Sequence, residues 1–415
     1  MIELADARRT LLAACPSIAP VALPVARADR CVIVADVVAT HAVPPFDNTS
    51  VDGYAVQAAD TVTATQDQPV HLDVLGSVLA GSVADRPVEP GRTWKVMTGA
   101  PLPAGADAVV MVERTSARAG SQLGAAGDQV AILAPARSGA GIRRAGSDVR
   151  TGETVLAAGT VLRPAHLGVL GSVGAREVLV YRRLRVGVLV TGDELVTDGG
   201  ELRPGQIHES NRAMLMALLV RANCEPMDLG VASDDVADLE QRLRHAMAAC
   251  DVIVTSGGVS MGDSDPVKAV LERMGRLNWM QVAIRPAKPF AFGVLDGPSA
   301  PVLVLGLPGN PVSSLVSFEL IARPALRHMM GHVEPYGPSV LAIADEQLGR
   351  PLADGRTAFL RVLSRIGPDG RVHVRPVTGQ DSHQLSASAS ADALAEVPDD
   401  RTVQAGEDVL VYPLS

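Results

Sequence analysis

Aromatic side chains are scarce in this sequence of 415 residues, where phenylalanine, tyrosine and tryptophan together make up 3%. The hydrophobic cores must therefore be built from valine, leucine and alanine. Cysteine is also rare, and the four cysteines form no CxxC pair and have no histidine at zinc-ligand spacing. This pattern predicts small buried hydrophobes in a reducing compartment, at Cys15, Cys31, Cys224 and Cys250.

Long apolar runs are absent too, since no stretch reaches the about 18 residues that a transmembrane helix needs. Charged residues, Glu3, Asp6 and Arg8, interrupt the start of the chain, where a signal peptide would be apolar. The net charge of −9 argues against a nucleic-acid backbone as partner, because phosphate repulsion would not be offset. We expect a cytoplasmic protein of about two to four domains, with neither nucleic acid nor membrane as partner.

Positive charge occurs in short, isolated runs. The two runs are Arg143-Arg144 and Arg182-Arg183-Leu184-Arg185. Such runs are typical either of local contacts to an anion or of solvated faces, and the sequence leaves both interpretations open.

One stretch, residues 251–268, organises the rest of the chain. Val252 to Thr255 predict a short strand, and Ser256-Gly257-Gly258 follow it directly, ahead of Asp263 and Asp265. A glycine turn between a strand and a helix lets the backbone approach an anion, whereas nearby carboxylates repel a naked phosphate unless Mg²⁺ lies between them. The stretch alone is equally compatible with a solvated acidic loop.

Three further strands are predicted to end in the same manner. Polar residues follow predicted strands 186–190, 227–231 and 301–305, namely Glu194, Asp234 and, at a helix start, Asn310 with Pro311. Alternating strands and helices from about 185 to 326 predict a doubly wound parallel sheet, whose ligands bind at the carboxyl edge. Another helix should begin near Ser210, a suitable N-cap, and the helix after Pro311 should run to about 325.

Positive charge near this edge comes from RPAKPFAFG, which holds Arg285 and Lys288 between prolines. Acidic residues for a metal together with basic ones for an oxyanion suggest phosphate-ester or phosphoanhydride chemistry. A surface ion-pair network explains the same residues equally well.

The flanking regions read as β structure around a few short helices. Residues 57–145 and 329–415 show short alternating runs separated by turns, including a hairpin at 358–365 and 371–376. Residues 3–14 favour a helix, and residues 31–38 are ambiguous between strand and helix. Residues 379–394 are small and polar, and predict a loop or a short helix that forms a lip.

Seven motifs, taken in order, resemble the molybdopterin molybdenumtransferases, the family that includes the last domain of gephyrin. The resemblance covers essentially the whole chain, and the order makes coincidence very improbable although each motif alone is weak. The motifs are FDNTSVDGYAV (46–56), MTGAPLPAGAD (97–107), RRAGSDV (143–149), TGDEL (191–195), TSGGVSMGDSD (255–265), RPAKPFAFG (285–293) and LPGNPVSS (307–314).

The resemblance implies a multidomain α/β plus β fold, assembled as an elongated homodimer. A small mixed domain I (1–50 and 146–180) would carry an all-β insertion as domain II (51–145). Domain III (181–328) would be an α/β unit resembling molybdopterin adenylyltransferases, and domain IV (329–415) a C-terminal β-barrel. The implied reaction joins molybdate to adenylylated molybdopterin with Mg²⁺ and releases AMP. Further implied partners are the adenylyltransferase and molybdoenzyme chaperones.

The resemblance also implies roles for individual residues. The cleft would lie between domain III of one protomer and domains I and II of the other. The implied metal ligands and catalytic carboxylates are Glu194, Asp234 and Asp265, with Asp52, Thr98 and Asp148 reaching in from the partner. The implied substrate-binding residues are Arg143, Gly257, Gly258, Ser260, Arg285, Lys288, Pro308, Asn310, Pro311, Ser382 and Ser386.

Three stretches depart from the family pattern. Val51 stands where Met is usual, Arg285-Pro-Ala-Lys288 replaces Lys-Pro-Gly-Lys, and Asp392 replaces Asn. Arginine is a planar fork and lysine a point charge, so the geometry toward an anion differs at position 285. Two rival functions remain open: an adenylyltransferase-like nucleotide enzyme, and a non-catalytic dimeric scaffold.

Overall fold

The computed structural model describes residues 1–117, 123–233, 235–257, 266–349 and 353–414. Its N-terminal region combines short antiparallel strands with two helices. The ambiguous segment 31–38 forms two strands, and the first helix is found as predicted. The elements are α1 (Leu4–Ala14), β1 (Val21–Pro24), β2 (Val32–Ile33), β3 (Val37–Val38) and β4 (Asn48–Thr49).

A five-stranded sheet follows, as the all-β prediction for this part of the chain requires. Its strand order is β8-β5-β7-β6-β9, and β6 and β7 pair in parallel while the other pairs are antiparallel. The strands are β5 (Gly53–Val56), β6 (Val70–Val78), β7 (Arg92–Val96), β8 (Ala108–Met111) and β9 (Gln129–Ile132).

The chain then returns to the N-terminal strands before it enters the central sheet. Strand β12 lies between β1 and β2 in an antiparallel sheet, so residues 177–181 close the N-terminal region. The returning elements are β10 (Ile142–Arg143), β11 (Thr154–Leu156), α2 (Pro164–Ser172) and β12 (Glu177–Tyr181).

The central sheet has six strands in the order β16-β13-β17-β21-β20-β18. Its elements begin with β13 (Arg185–Thr191), β14 (Leu195–Val196), β15 (Ile207–His208), α3 (Asn211–Arg221), β16 (Glu225–Ala232), α4 (Val236–Ala249) and β17 (Val252–Ser256). They continue with α5 (Pro266–Met274), β18 (Arg276–Gln281), β19 (Ile284–Arg285), β20 (Pro289–Asp296), β21 (Pro301–Leu307), α6 (Pro311–Ser317) and α7 (Arg323–Met329).

The predicted parallel sheet is confirmed for its four predicted strands, and two further strands extend it in antiparallel pairing. Strands β16, β13, β17 and β21 are parallel, whereas β20 and β18 are antiparallel. The connection from β20 to β21 spans four residues, 297–300, and a parallel crossover needs a dozen or more. Helices α1, α3, α6 and α7 pack on one face of the sheet and α4 and α5 on the other, as in a doubly wound fold.

Two helix predictions need correction. Ser210 occupies the N-cap position of α3 but makes no capping hydrogen bond, and Glu209 Oε1 accepts from the Arg212 amide instead at 2.7 Å. The helix after Pro311 does not end near 325, because a π-helical turn at Phe318–Ala322 joins α6 to α7 and carries it to Met329. A π turn lets the helix continue with a changed face toward the sheet.

The C-terminal region is a closed barrel of five strands. Strand β23 pairs with both β24 and β25, and this second pairing closes the sheet. The predicted hairpin is confirmed, and the polar lip contains a short helix. The elements are β22 (Val340–Ala344), β23 (Thr357–Ile366), β24 (Val372–Pro376), α8 (Leu385–Ser388), β25 (Ala393–Val397) and β26 (Asp408–Pro413).

No helix among the described residues combines the length and apolar character needed to cross a membrane. The domain boundaries at 50, 145, 180 and 328 stay predictions.

An ion-pair cluster on the barrel makes its stability depend on pH. His373 Nδ1 lies 2.7 Å from Asp345 and Nε2 lies 3.1 Å from Asp369, and Arg365 also contacts Asp345. The hydrogen bond to Asp345, and that to Asp369, raise the pKa of His373. Protonated His373 therefore stabilises the fold. This stabilisation is fully present below the pKa of histidine in the unfolded chain, about 6.5, and is lost as pH rises through the pKa in the folded state.

We therefore predict that His373→Asn lowers the unfolding temperature at about pH 6, and that the difference from wild type shrinks toward about pH 9. Calorimetric unfolding across this range checks the prediction. His71→Asn, which changes an exposed histidine of the inserted sheet, is the control and should show no such trend. A difference at His373 that is constant with pH would contradict the assignment.

Candidate functional site at the carboxyl edge of the central sheet

Three loops meet where strands β13, β17 and β21 end. Gly257 has φ +93°, and a Cβ there would lie 3.1 Å from both the carbonyl oxygen and Oγ1 of Thr191. A Cβ at Gly309 would lie 3.8 Å from the Gly257 Cα. Gly257 must therefore lack a side chain, both for its backbone conformation and for the close approach to Thr191.

Asn211 holds two of these loops together, and sequence reasoning missed it. Its side chain is buried, and Nδ2 donates to Ser256 Oγ at 2.8 Å and to the Gly309 carbonyl at 2.6 Å. Asn211 Oδ1 is also buried, and it has no hydrogen-bond partner within the described ranges. The sequence did offer one signal for Asn211, which is a polar residue at the predicted start of a helix. The N-cap role, however, was assigned to its neighbour Ser210.

Glu194 projects from the first of the loops and is exposed. Gly192 has φ +145°, and a Cβ there would lie 2.5 Å from Glu194 Oε2, so the carboxylate folds back over the end of β13. The other predicted acidic ligands, Asp234 and Asp265, lie outside the described residues, as do Gly258 and Ser260. Within the described part of the chain, no group of three His, Cys, Asp or Glu residues could hold a metal ion.

The β21 loop reaches the lip of the barrel. Pro308 is buried, Pro311 is the first residue of α6 as predicted, and Asn310 holds the N-cap position without a capping hydrogen bond. Asn310 Nδ2 instead points to Ser382 Oγ at 3.5 Å. This contact places one predicted serine beside the predicted helix start, while Ser386 lies on α8 and faces a separate cavity with Arg375 and Thr378.

The lip that carries these serines is held by a buried arginine that the sequence did not reveal. Arg361 is 1% exposed, and its guanidinium donates to the carbonyls of Gly379, Asp381 and Gln384 at 2.8–3.2 Å. It also donates to Ser388 Oγ at 3.2 Å. Burial lowers the pKa of Arg361 from its ordinary value. Most of the acceptors are backbone carbonyls, which every residue has, so the sequence pattern does not predict these contacts of Arg361.

Arg285 is engaged by the barrel instead of pointing to an open cleft. Its Nη2 lies 2.9 Å from Asp354 and 3.7 Å from Asp399, and strand β19 pairs with β23 beside it. Hydrogen bonding to Arg356, aided by the charge of Arg285, lowers the pKa of Asp354 to about 2. Lys288, three residues on, is exposed. The arginine departure thus serves an ion-pair network, and Lys288 is the freer cation of the pair.

The alanine of the same stretch and the departure at Asp392 also have structural settings. Ala287, where the family usually has glycine, adopts φ +82°, a conformation that L side chains rarely take. Asp392 accepts from the Ser364 amide at 2.7 Å and from Ser364 Oγ at 3.0 Å, so its carboxylate binds the barrel strand.

Asp52 and Thr98 come together from two motifs 46 residues apart. Asp52 Oδ1 accepts from both the amide and the hydroxyl of Thr98 at 2.7 Å, and these hydrogen bonds lower the pKa of Asp52. The pair borders a cavity of about 550 Å³ that also includes Lys95 and Glu113. Apart from Ser50, its lining belongs to the inserted sheet and its loops, and none of it comes from the central sheet.

Arg143 and Asp148 lie on the exposed surface of the N-terminal region. Arg143 is paired with Asn48 in the β4–β10 ladder, and the Asp148 amide donates to the Val43 carbonyl at 3.0 Å. The ion pair of this segment joins Arg144 to Asp47 at 2.5 Å and does not involve Asp148.

These features define a multidomain α/β protein whose polar residues gather at the carboxyl edge of its central sheet. Family models match along the chain: the MoeA N-terminal region (domains I and II) at residues 2–174, a probable molybdopterin binding domain at 187–328 and the MoeA C-terminal region (domain IV) at 347–414.

Full-length relatives agree with these matches. A molybdopterin molybdenumtransferase of Haemophilus influenzae is 37% identical over 92% of this chain and 90% of its own. Molybdopterin molybdenumtransferase 2 of Mycobacterium tuberculosis is 38% identical over 95% of both chains. The crystal structure of a molybdopterin biosynthesis moeA protein from Pyrococcus horikoshii covers 100% of both chains, with a TM-score of 0.77 and 30% identity. The chain belongs to the molybdopterin molybdenumtransferase family.

We predict that Asn211→Ala lowers the free energy of unfolding of the central sheet by about 1–3 kcal/mol, because it leaves the Gly309 carbonyl and Ser256 hydroxyl unpaired. Urea unfolding followed by Trp279 fluorescence, in a Trp94→Phe background, measures this change. Ser210→Ala is the matched control, since its side chain makes no capping bond, and it should stay within about 0.5 kcal/mol. Equal stability of the two variants would contradict the role of Asn211.

Proposed function

We propose that this chain transfers molybdenum from molybdate to adenylylated molybdopterin and releases AMP. The proposal is supported by the shared family and by the meeting of three strand-end loops at one edge of the sheet. Gly257 and Gly309 leave room there for the backbone to approach an anionic group. Asn310 at the start of α6 and Ser382 on the lip, which contact each other, would also bind the substrate.

Mg²⁺ is part of the proposal. Glu194, with Asp234 and Asp265, would hold the ion, and oxygen ligands of this kind are those that Mg²⁺ prefers. The exposed Glu194 carboxylate, folded over Gly192 at the strand end, fits that role. When bound, the ion would neutralise negative charge on the phosphoanhydride that links AMP to the pterin.

We also propose that a second copy of the chain completes the site. The Asp52–Thr98 cavity has no wall from the central sheet, so within one chain these residues and Glu194 belong to separate surfaces. In a homodimer, Asp52, Thr98 and Asp148 of one protomer would face the sheet edge of the other. Asp52 is held ionised by Thr98, and it would orient a substrate proton or hydroxyl. The adenylyltransferase and molybdoenzyme chaperones remain proposed partners.

The direct test is AMP release from adenylylated molybdopterin by the purified protein. Release that requires both molybdate and Mg²⁺ is expected. If no AMP is released, but ATP and molybdopterin give the adenylylated form, the protein is instead an adenylyltransferase. Silence in both assays would leave a non-catalytic binding protein.

We predict that Asp52→Asn lowers the rate of AMP release by about 10²-fold or more, since the amide keeps the shape but loses the charge and acceptor capacity. Asp85→Asn, which changes an exposed carboxylate of the same region that contacts only its neighbour Arg86 among the described residues, is the control. It should retain the wild-type rate. An Asp52→Asn variant that turns over like the control would remove Asp52 from the mechanism.

A further inference from the structure

Four arginines line a cavity of about 490 Å³ at the opposite edge of the central sheet. Arg185 and Glu225, which border it, are the first residues of β13 and β16, whereas the candidate functional site lies where these strands end. Seven residues of β13 separate the two edges by roughly 20 Å. Arg27 and Cys31 of the N-terminal region form the other wall. The cavity is therefore distinct from the candidate functional site.

Part of this positive charge is neutralised by Asp251. Asp251 is 8% exposed and accepts from Arg182 at 2.7 and 2.8 Å and from the Arg185 amide at 2.8 Å. Burial opposes the ionisation of Asp251, but these hydrogen bonds outweigh it and lower its pKa. Asp251 thus fixes the direction of the Arg182 guanidinium and leaves its own oxygens fully engaged.

Other donors of the cavity are not matched by an acceptor. Arg183 Nε is buried and has no hydrogen-bond partner in the described ranges, and Arg183 Nη2 reaches only the Asp29 carbonyl at 3.3 Å. Arg27 enters no ion pair with a described residue. Four arginines and one carboxylate, Glu225, line the cavity, and the nearby Asp251 is already engaged by Arg182, so the lining carries net positive charge. Burial raises the pKa of the Cys31 thiol, so the thiol itself adds no negative charge near neutral pH.

We propose that this cavity binds a phosphate-bearing anion of the diphosphate class and thereby fastens the N-terminal region to the central sheet. Guanidinium groups donate in pairs to phosphate oxygens, which matches the donors that Arg27 and Arg183 present. The walls come from residues 23–31 on one side and from residues 182–185 and 225 on the other. An anion between them would contact both. Of the two interpretations open for the arginine run at 182–185, this proposal favours contact with an anion.

Isothermal titration of the full-length protein with inorganic pyrophosphate tests the proposal, with orthophosphate as the smaller probe. We expect one saturable site per chain at this cavity, tighter for pyrophosphate and weaker as salt is added. The double variant Arg27→Gln, Arg183→Gln should lose affinity at least tenfold. Pyrophosphate could also bind at the carboxyl edge of the sheet, and that binding would persist in this variant. Only the binding that the double variant loses is therefore assigned to the cavity.

Two further variants fix the interpretation. Glu225→Gln removes a like charge and should tighten binding, a gain that general destabilisation cannot produce. Arg137→Gln, which changes an exposed arginine of the inserted region, should bind as wild type does. Absence of saturable binding for both probes, or equal binding in the double variant, would overturn the proposal. If the double variant does not fold, Arg27→Gln alone and Glu225→Gln decide the question in the same way.

Discussion

The arrangement of the site depends on one buried amide. Asn211 Nδ2 donates to the end of β17 and to the loop after β21, so the first residue of α3 joins two strand ends that are neighbours in the sheet. The Ser256 hydroxyl is buried, so breaking its bond to Asn211 would leave a polar group without water, whereas the Gly309 carbonyl is only partly shielded. The close approach of Gly257 to Thr191 adds the third loop. The candidate site is thus a packed structure, and Ser382 of the barrel lip contacts it through Asn310.

The same logic explains the lip. Arg361 is a buried cation whose acceptors are the carbonyls of residues 379–384, so the loop is shaped by a side chain 18 to 23 residues away. Arg285 differs, because the sequence did single it out but for another role. Positive charge beside a predicted anion site suggested a ligand contact, but Asp354 and Asp399 of the barrel take up its guanidinium. Arg361 thus stabilises the lip and Arg285 stabilises the contact with the barrel.

Local chemistry made much of the fold predictable. Runs of β-branched residues that stop on glycine or proline indicated strands β13, β17 and β21, and Pro311 marked a helix start. Strands β18 and β20 were not predicted, and the antiparallel pairing of β20 with β21 follows from the four-residue connection between them. Asp52 and Thr98 were each singled out through a family motif, but their contact was not foreseen. Asn211 and Arg361 escaped because their partners are far away in sequence, and several are backbone carbonyls, which any residue supplies.

The central claim is that the site is divided between the sheet edge of one protomer and the Asp52–Thr98 cavity of another. Mixed dimers test it most directly, with one protomer carrying Glu194→Gln and the other Asp52→Asn. Each variant alone should release little AMP, whereas a dimer of the two would contain one cleft with both carboxylates intact. Our account predicts that mixing, after subunit exchange, restores AMP release to a fraction of the wild-type rate. If the mixture stays as inactive as the separate variants although mixed dimers form, the divided site is contradicted.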